Sequence, residues 1–294
     1  MDSERGEGCV ARLGARSARV SRRLDRLVRE HRFTIAVVFP VVGALLLVGS
    51  AEGVLPAPLT FNPALILLGT LVMRLPLIAG LLPLVDRRLG ASLAALTGYA
   101  YGIEVVGVTT GWPYGDFQYV VDLGPMVAGV PIGLPVFFLP LVVNSYLLTT
   151  LVIASISRGW GGRVTGALIA VLGIDLVLDP AAVALGFWTY LEGGGYYGVP
   201  ASNYLGWLLS GTIAIIALEK GFPEERLRAR LRSCEFILDD HVSFVVLWGT
   251  INAFYGNWLP VGIVALLVLG LRLTGRLDFD TVESRFTPEE WRAS

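Results

Sequence analysis

The chain reads as all-α: a polytopic transmembrane helix bundle of about seven spans with a cytoplasmic N-terminus. Three observations predict this. Of the 294 residues, 54% are hydrophobic and only 16% are charged, whereas charge in a soluble domain runs near a quarter. The apolar residues fall in blocks of roughly 20, the length that crosses a bilayer. The segments between blocks alternate between basic and base-free, the pattern that sets membrane orientation.

The first 32 residues are polar and rich in arginine, with Arg16, Arg19, Arg22, Arg23, Arg26, Arg29 and Arg32. This is too long and too charged for a signal-peptide head, and the apolar run behind it reads as a retained span. The segment is expected to be a solvated topogenic arm, or a short basic helix on anionic lipid. Seven apolar blocks follow: Phe33 to Gly49, Asn62 to Leu84, Ala91 to Thr110, Pro131 to Ile156, Val164 to Tyr190, Asn203 to Leu218, and Val242 to Leu271. They make one transmembrane domain over 33–272, ahead of a polar tail over 273–294. The last block is interrupted by Tyr255, Gly256, Asn257, Trp258 and Pro260. A single tilted span, a re-entrant hairpin or two short spans would each accommodate it, and the single span is the expectation.

Loop charge orients the blocks. Asp86-Arg87-Arg88, the loop with Arg158 and Arg163, and the segment from Lys220 to Arg232 are basic. The loops 50–61, 111–129 and 191–202 contain no Lys or Arg. The basic loops and the N-terminus are therefore cytoplasmic, and the protein is expected to be multi-pass in the cell membrane. The formal net charge of -1 hides this asymmetry. Cys9 and Cys234 both lie in basic, cytoplasmic segments, which argues against a disulfide.

Charge inside the blocks is the functional signal, because each ionisable group there is costly unless paired or used. A rise of about 1.5 Å per residue puts Glu104 roughly 10 Å below the outer end of its block, with Asp179 about 15 Å and Asp175 about 20 Å down theirs. Arg74 lies at a similar depth. An ion pair of Arg74 with one acid would fix packing and leave two carboxylates without a cation. Asp175 and Asp179 are four residues apart and share a helix face, so one of them is expected to hold a proton. Pro180 should kink the helix beside them and free a carbonyl.

Two base-free loops carry aromatics. Gly111 to Pro125 holds Trp112, Tyr114, Phe117 and Tyr119 with Asp116 and Asp122; Thr189 to Trp207 holds Glu192, three consecutive glycines, Tyr196, Tyr197 and Asn203. Trp188 and Trp207 frame the second loop. They read as an interfacial belt or as the rim of a site for a greasy substrate. The two histidines, His31 and His241, fall at cytoplasmic boundaries, too few for a di-iron oxygenase cluster or an intramembrane Ser–His pair. No Gly-rich nucleotide fingerprint or P-loop is present. Carboxylate and tyrosine acid–base chemistry remains, with a proton-coupled transporter as the alternative class, and no metal, cofactor or nucleic acid is expected.

The ordered set Glu104 with Gly107, Thr110-Gly111, Pro113-Tyr114-Gly115, Tyr119, Leu123-Gly124-Pro125, Gly129-Val130-Pro131, Asp175, Asp179-Pro180, Gly195 to Pro200, Asn203 and Gly206-Trp207 resembles the membrane carotenoid hydratase family, its haloarchaeal members most of all. The resemblance covers the third block through the sixth, not the basic arm. It implies addition of water to the terminal double bonds of a long acyclic carotenoid, giving tertiary alcohols. It also implies a carotenoid, water, membrane lipid and other membrane enzymes of the pathway as partners. A carotene cyclase begins with the same protonation and stays open beside it. On this reading Glu104, Asp175 and Asp179 are catalytic. Tyr114, Asp116, Asp122, Trp188, Tyr196, Tyr197 and Asn203 contact the substrate.

Overall fold

The computed structural model describes residues 19–153 and 159–277. Cys9, Arg16, Arg158, the start of the basic arm and most of the polar tail lie outside the described residues. Among the described residues, six helices are long and apolar enough to cross a membrane: α1 (Thr34–Ala51), α2 (Pro63–Leu84, its last turn 3-10), α3 (Arg87–Thr110), α4 (Leu134–Ile153), α5 (Trp160–Leu185) and α6 (Ala201–Gly221). A short basic helix, α7 (Glu224–Ser233), and two shorter helices, α8 (Asp239–Phe254) and α9 (Trp258–Leu273), complete the bundle. Asn62 and Asp86 cap α2 and α3 by accepting from backbone N–H groups of the first turn. Leucines such as Leu45, Leu68, Leu205 and Leu266 point outward, as lipid-facing side chains would.

The seventh block is not one span. Gly256, at φ 73°, and Asn257 break it, and α8 and α9 pack against each other as a hairpin. Its tip lies at the outer end, where Tyr255 Oη donates to Glu52 at 2.9 Å. Arg276, just past α9, donates to the carbonyls of Leu231 and Cys234, so the chain returns to the end that carries α7. The expectation of a single tilted span is thus corrected. The physical reason is a tight turn at a glycine in the left-handed region.

The segment before α8 does not stay at the surface. Phe236, Ile237 and Leu238 are fully buried, and Ile237 lies where a side chain on Gly80 would have to be. The first turn of α8 therefore starts inside the bundle. His241 is fully buried there, stacked on Phe244. The basic arm also packs: residues 19–30 are helical, Val28 is fully buried, and Arg230 donates to Asp25 at 3.0 Å. Its described part is thus a short basic helix, one of the two forms that the charge left open.

Two prolines set polar contacts inside the bundle. Pro140 in α4 has no N–H for the Val136 carbonyl, which instead accepts from Arg74 Nε at 3.2 Å. Pro180 in α5 likewise frees the Leu176 carbonyl, which accepts from Tyr196 Oη at 3.2 Å.

Candidate active site

Helix α5 ends at Leu185, five residues earlier than the apolar run suggests, because Gly186 takes the left-handed conformation at φ 75°. The chain then extends, and Trp188–Tyr190 forms a strand, β4. It pairs antiparallel with β1, Phe117–Tyr119, with Phe117 opposite Tyr190 and Tyr119 opposite Trp188. The two aromatic loops are thus one ribbon. Alternation along a strand puts Phe117, Tyr119, Trp188 and Tyr190 on one face and exposes Gln118 on the other. That face lies over a cavity of about 140 Å³, and all four aromatics line it. A second ribbon, β2 (Met126–Val127) with β3 (Val130–Pro131), leads the chain into α4.

Beneath the first ribbon the cavity is walled by α3, α4, α5 and α6, and Trp248 of α8 joins the lining. Glu104 and Asp179 both face it. Each lies six residues inside the outer end of its helix, α3 or α5, which places both about 9 Å down. The staggered depths expected for them were an effect of counting β4 as helix. Asp175 is fully buried and does not line the cavity; it sits one turn deeper, behind Asp179.

Asn203, on the first turn of α6, joins the two aspartates. Its amide nitrogen donates to Asp179 Oδ2 at 2.5 Å and to Asp175 Oδ2 at 3.0 Å. Tyr190 Oη donates to the same Asp179 oxygen at 3.1 Å. Asp175 Oδ1 is buried with no hydrogen-bond partner. Glu104 accepts from Tyr119 Oη. Arg74 offers no cation here: it pairs with Asp240 at 2.5 Å, and Asn144 donates to the other Asp240 oxygen at 2.5 Å. The expected partner of Arg74 was one of the three acids, and the geometry assigns it a fourth. Glu104, Asp175 and Asp179 are held by neutral donors instead.

Of the substrate contacts expected from sequence, Tyr114, Trp188 and Asn203 line the cavity. Tyr114 is buried, donates to or accepts from Ser210 at 2.6 Å, and packs its ring where any side chain on Gly206 would stand. Asp116, Asp122, Tyr196 and Tyr197 do not line it. Asp116 and Asp122 are exposed; Asp116 folds over Gly111, and Asp122 accepts from the Gly124 N–H at 2.8 Å. Tyr196 serves the carbonyl freed by Pro180, and Tyr197 accepts from the Leu259 N–H at 3.3 Å. Sequence reasoning passed over Tyr190, Phe187, Phe138 and Trp248 as lining residues. Tyr190 was hidden as the end of an apolar block. Phe138 and Trp248 lie within helices and Phe187 in the turn after Gly186, and none of the three carries a local signal that separates lining from core.

Residues 61–271 match the profile of the family described as "Carotenoid biosynthesis protein". The chain belongs to that family. It is also 60% identical, over 91% of its own length and 92% of the relative's, to a protein of Haloarcula japonica named bisanhydrobacterioruberin hydratase. No solved structure matches the chain. Every residue of the cavity described above falls within the matched family region. For this carotenoid biosynthesis protein, then, the acids, the bridging Asn203 and the aromatic ribbon are parts of a region shared with the family.

Proposed function

We propose that this chain is a carotenoid hydratase, a hydro-lyase of the cell membrane that adds water to the terminal double bonds of an acyclic carotenoid. The substrate and product would be of the bisanhydrobacterioruberin and bacterioruberin type, as in the name of the Haloarcula japonica relative. The observation that carries the reading is the pairing of Glu104 and Asp179 at one depth in one aromatic cavity.

An alkene is a weak base, so its protonation needs a strong and well-placed acid. Asp179 fills that role. Both of its hydrogen bonds fall on Oδ2, which leaves Oδ1 to carry the proton toward the cavity. Asp175 lies behind it on the same helix face, and Asn203 spans the two. Two carboxylates this close disfavour a double negative charge, so a proton is retained between them. Transfer to the less substituted alkene carbon leaves a tertiary cation at its neighbour. The ring faces of Trp188, Trp207 and Phe187 line the space around it, and ring faces attract cations. Water then adds to that carbon. Glu104, whose carboxylate accepts from Tyr119, takes the proton that the water loses. Solvent at the outer loops returns it to Asp179, and the net change is the addition of one water.

The test is product analysis with purified protein and an acyclic carotenoid in labelled water. The expected product is heavier by one water per reacted end and carries the label. A cyclised product of unchanged mass would overturn the hydratase reading, and so would label arriving from molecular oxygen.

A further inference from the structure

Among the described residues, none that lines the cavity of Glu104 and Asp179 is exposed. The site itself therefore offers a long apolar substrate no wide opening to the bilayer. A second cavity, of about 360 Å³ against about 140 Å³ for the first, lies between α1, α2, α4 and α8. It differs in one respect. Phe39, Val42 and Leu46 of α1 and Leu65 and Leu68 of α2 line it and are also exposed. A side chain that lines a cavity and is exposed lies at its mouth. The mouth is thus the gap between α1 and α2. Both helices have the length and composition of membrane spans, so the gap opens sideways to lipid and not to water.

This second cavity is a slot along the spans. On α1 its lining runs from Ser50, near the outer end, to Phe39, which is about 17 Å of helix. On α2 it runs from Asn62 to Arg74, about 18 Å. The lining is mostly apolar, and Arg74 at the deep end is already neutralised by Asp240. An extended neutral hydrocarbon suits such a slot. The slot also adjoins the site. Phe137, Leu141, Leu178, Phe187 and Trp248 line both cavities. Phe187 stands at the centre of this partition. Its ring lies 5.7 Å from that of Phe61 in the slot, 6.3 Å from that of Trp188 in the site and 6.5 Å from that of Trp248, which lines both.

We propose that the slot between α1 and α2 is the lateral entrance to the site and the seat of the polyene chain. The reacting end group passes the Phe187 partition into the cavity of Glu104 and Asp179, and the chain behind it stays in the slot. The inference rests on the carotenoid reading and deepens it: it states from which side the substrate enters and where its unreactive length lies.

The test uses the full chain in detergent with lycopene as the probe, and reads bound polyene by its visible absorbance after free polyene is removed. Gly69 of α2 lines the slot, and a side chain there would meet nothing within 4 Å. Gly69→Phe therefore fills the slot without a clash. It should bind lycopene at least about 10-fold more weakly than wild type, because its ring takes the space of the chain. Gly98 of α3 is exposed, lines neither cavity and also has nothing within 4 Å. Gly98→Phe, the control, should stay within about 2-fold of wild type. Equal binding by wild type and Gly69→Phe would overturn the proposal and leave the carotenoid reading intact. An equal loss in Gly98→Phe would overturn it too. So would a Gly69→Phe variant that keeps lycopene and loses co-purifying lipid, since the slot would then hold a lipid chain. Binding of no lycopene by wild type would overturn the carotenoid reading itself, and this proposal with it. If Gly69→Phe does not accumulate, Val42→Trp at the mouth of the slot is measured in its place, with the same outcomes.

Discussion

Tyr119 and Tyr190 lie on paired strands of one ribbon, and each gives its hydroxyl to a different carboxylate: Tyr119 to Glu104 of α3, Tyr190 to Asp179 of α5. The ribbon therefore does two things at once. It roofs the cavity with aromatic rings, and it fixes the two groups proposed as base and acid. The helices alone do not do this, since α3 and α5 reach the cavity as separate walls.

The first prediction follows from that arrangement. Tyr119→Phe and Tyr190→Phe each keep the ring and remove one donor to a carboxylate. Hydrogen bonds to charged groups contribute about 1.5–3 kcal/mol. Turnover per folded protein is expected to fall by about 10- to 100-fold in each variant, with polyene binding retained. If both variants turn over at the wild-type rate, the ribbon is only a roof.

Arg74 and Asp240 yield a stability prediction. Both are buried, with side chains 11% and 0% exposed, and neither lines the cavity of Glu104 and Asp179. Removing one partner of a buried pair typically costs 3–5 kcal/mol, because the other charge is stranded. Arg74→Met alone should therefore sharply reduce the folded protein recovered from membranes. Arg74→Met with Asp240→Leu should recover much of it. The check is thermal stability in detergent for the two single variants and the double. Failure of the double variant to exceed Arg74→Met would mean that the charges do more than hold each other.

How much of this was legible beforehand divides along physical lines. Glu104, Asp175 and Asp179 stood out because charge in an apolar block is costly, and that cost is visible in one dimension. The ribbon was not visible. A strand of three residues has no periodicity to detect, and its partner lies about seventy residues away. Tyr190 looked like helix because its neighbours are apolar on both sides of Gly186. His241 was read at a boundary because a basic segment precedes it, and its burial in the bundle was not visible. The burial of Phe236 to Leu238 depends on a contact with Gly80 that no local pattern encodes.

Tyr196 separates a structural tyrosine from a lining one. Its hydroxyl serves the Leu176 carbonyl that Pro180 leaves open. Tyr196→Phe should lower stability by about 1–3 kcal/mol, the cost of an unsatisfied buried group. Turnover per folded protein should stay close to wild type. Trp188→Ala, which opens the roof of the cavity, should reverse the pattern and affect substrate affinity first. Measuring stability and turnover on the same preparations checks both, and a large turnover loss in Tyr196→Phe at normal stability would place that residue at the site.

Cys234 bears on topology and on its own reactivity. It is 1% exposed, and burial pushes its thiol up to about 11. A free thiol titrates near 8.5, and only the thiolate reacts. At pH 8 the thiolate fraction is thus small, and it grows only as pH rises toward 11. Thiol reagents, permeant or not, should label native Cys234 slowly and label it fully after denaturation. Orientation is better read from cysteines placed at exposed sites. Glu192→Cys should react with an impermeant reagent in intact cells, and Arg232→Cys should not. Fast labelling of native Cys234 would show that the segment before α8 opens readily.

The last prediction concerns the chemistry. Asp179→Asn keeps shape, and the amide it introduces cannot deliver an acidic proton. Its new donor also faces the Asn203 amide, so local repacking is expected at Oδ2, where Asn203 and Tyr190 both donate. Glu104→Gln keeps shape in the same way and removes the proposed base while Tyr119 can still donate to its carbonyl. General acid and base contributions are typically 10²- to 10⁴-fold, and each variant is expected to lose turnover in that range. Asp175→Asn should lose less, because Asp175 does not line the cavity and acts through Asp179. The ordering separates roles that a single variant would not: a proton donor, a proton acceptor, and a group that positions the donor. Product per unit of folded protein, with polyene binding measured alongside, reads it directly. If Asp175→Asn is the most damaging of the three and Asp179→Asn turns over normally, the donor has been assigned to the wrong turn of α5. If Asp179→Asn and Glu104→Gln both turn over normally, these carboxylates serve packing and the acid–base assignment is overturned.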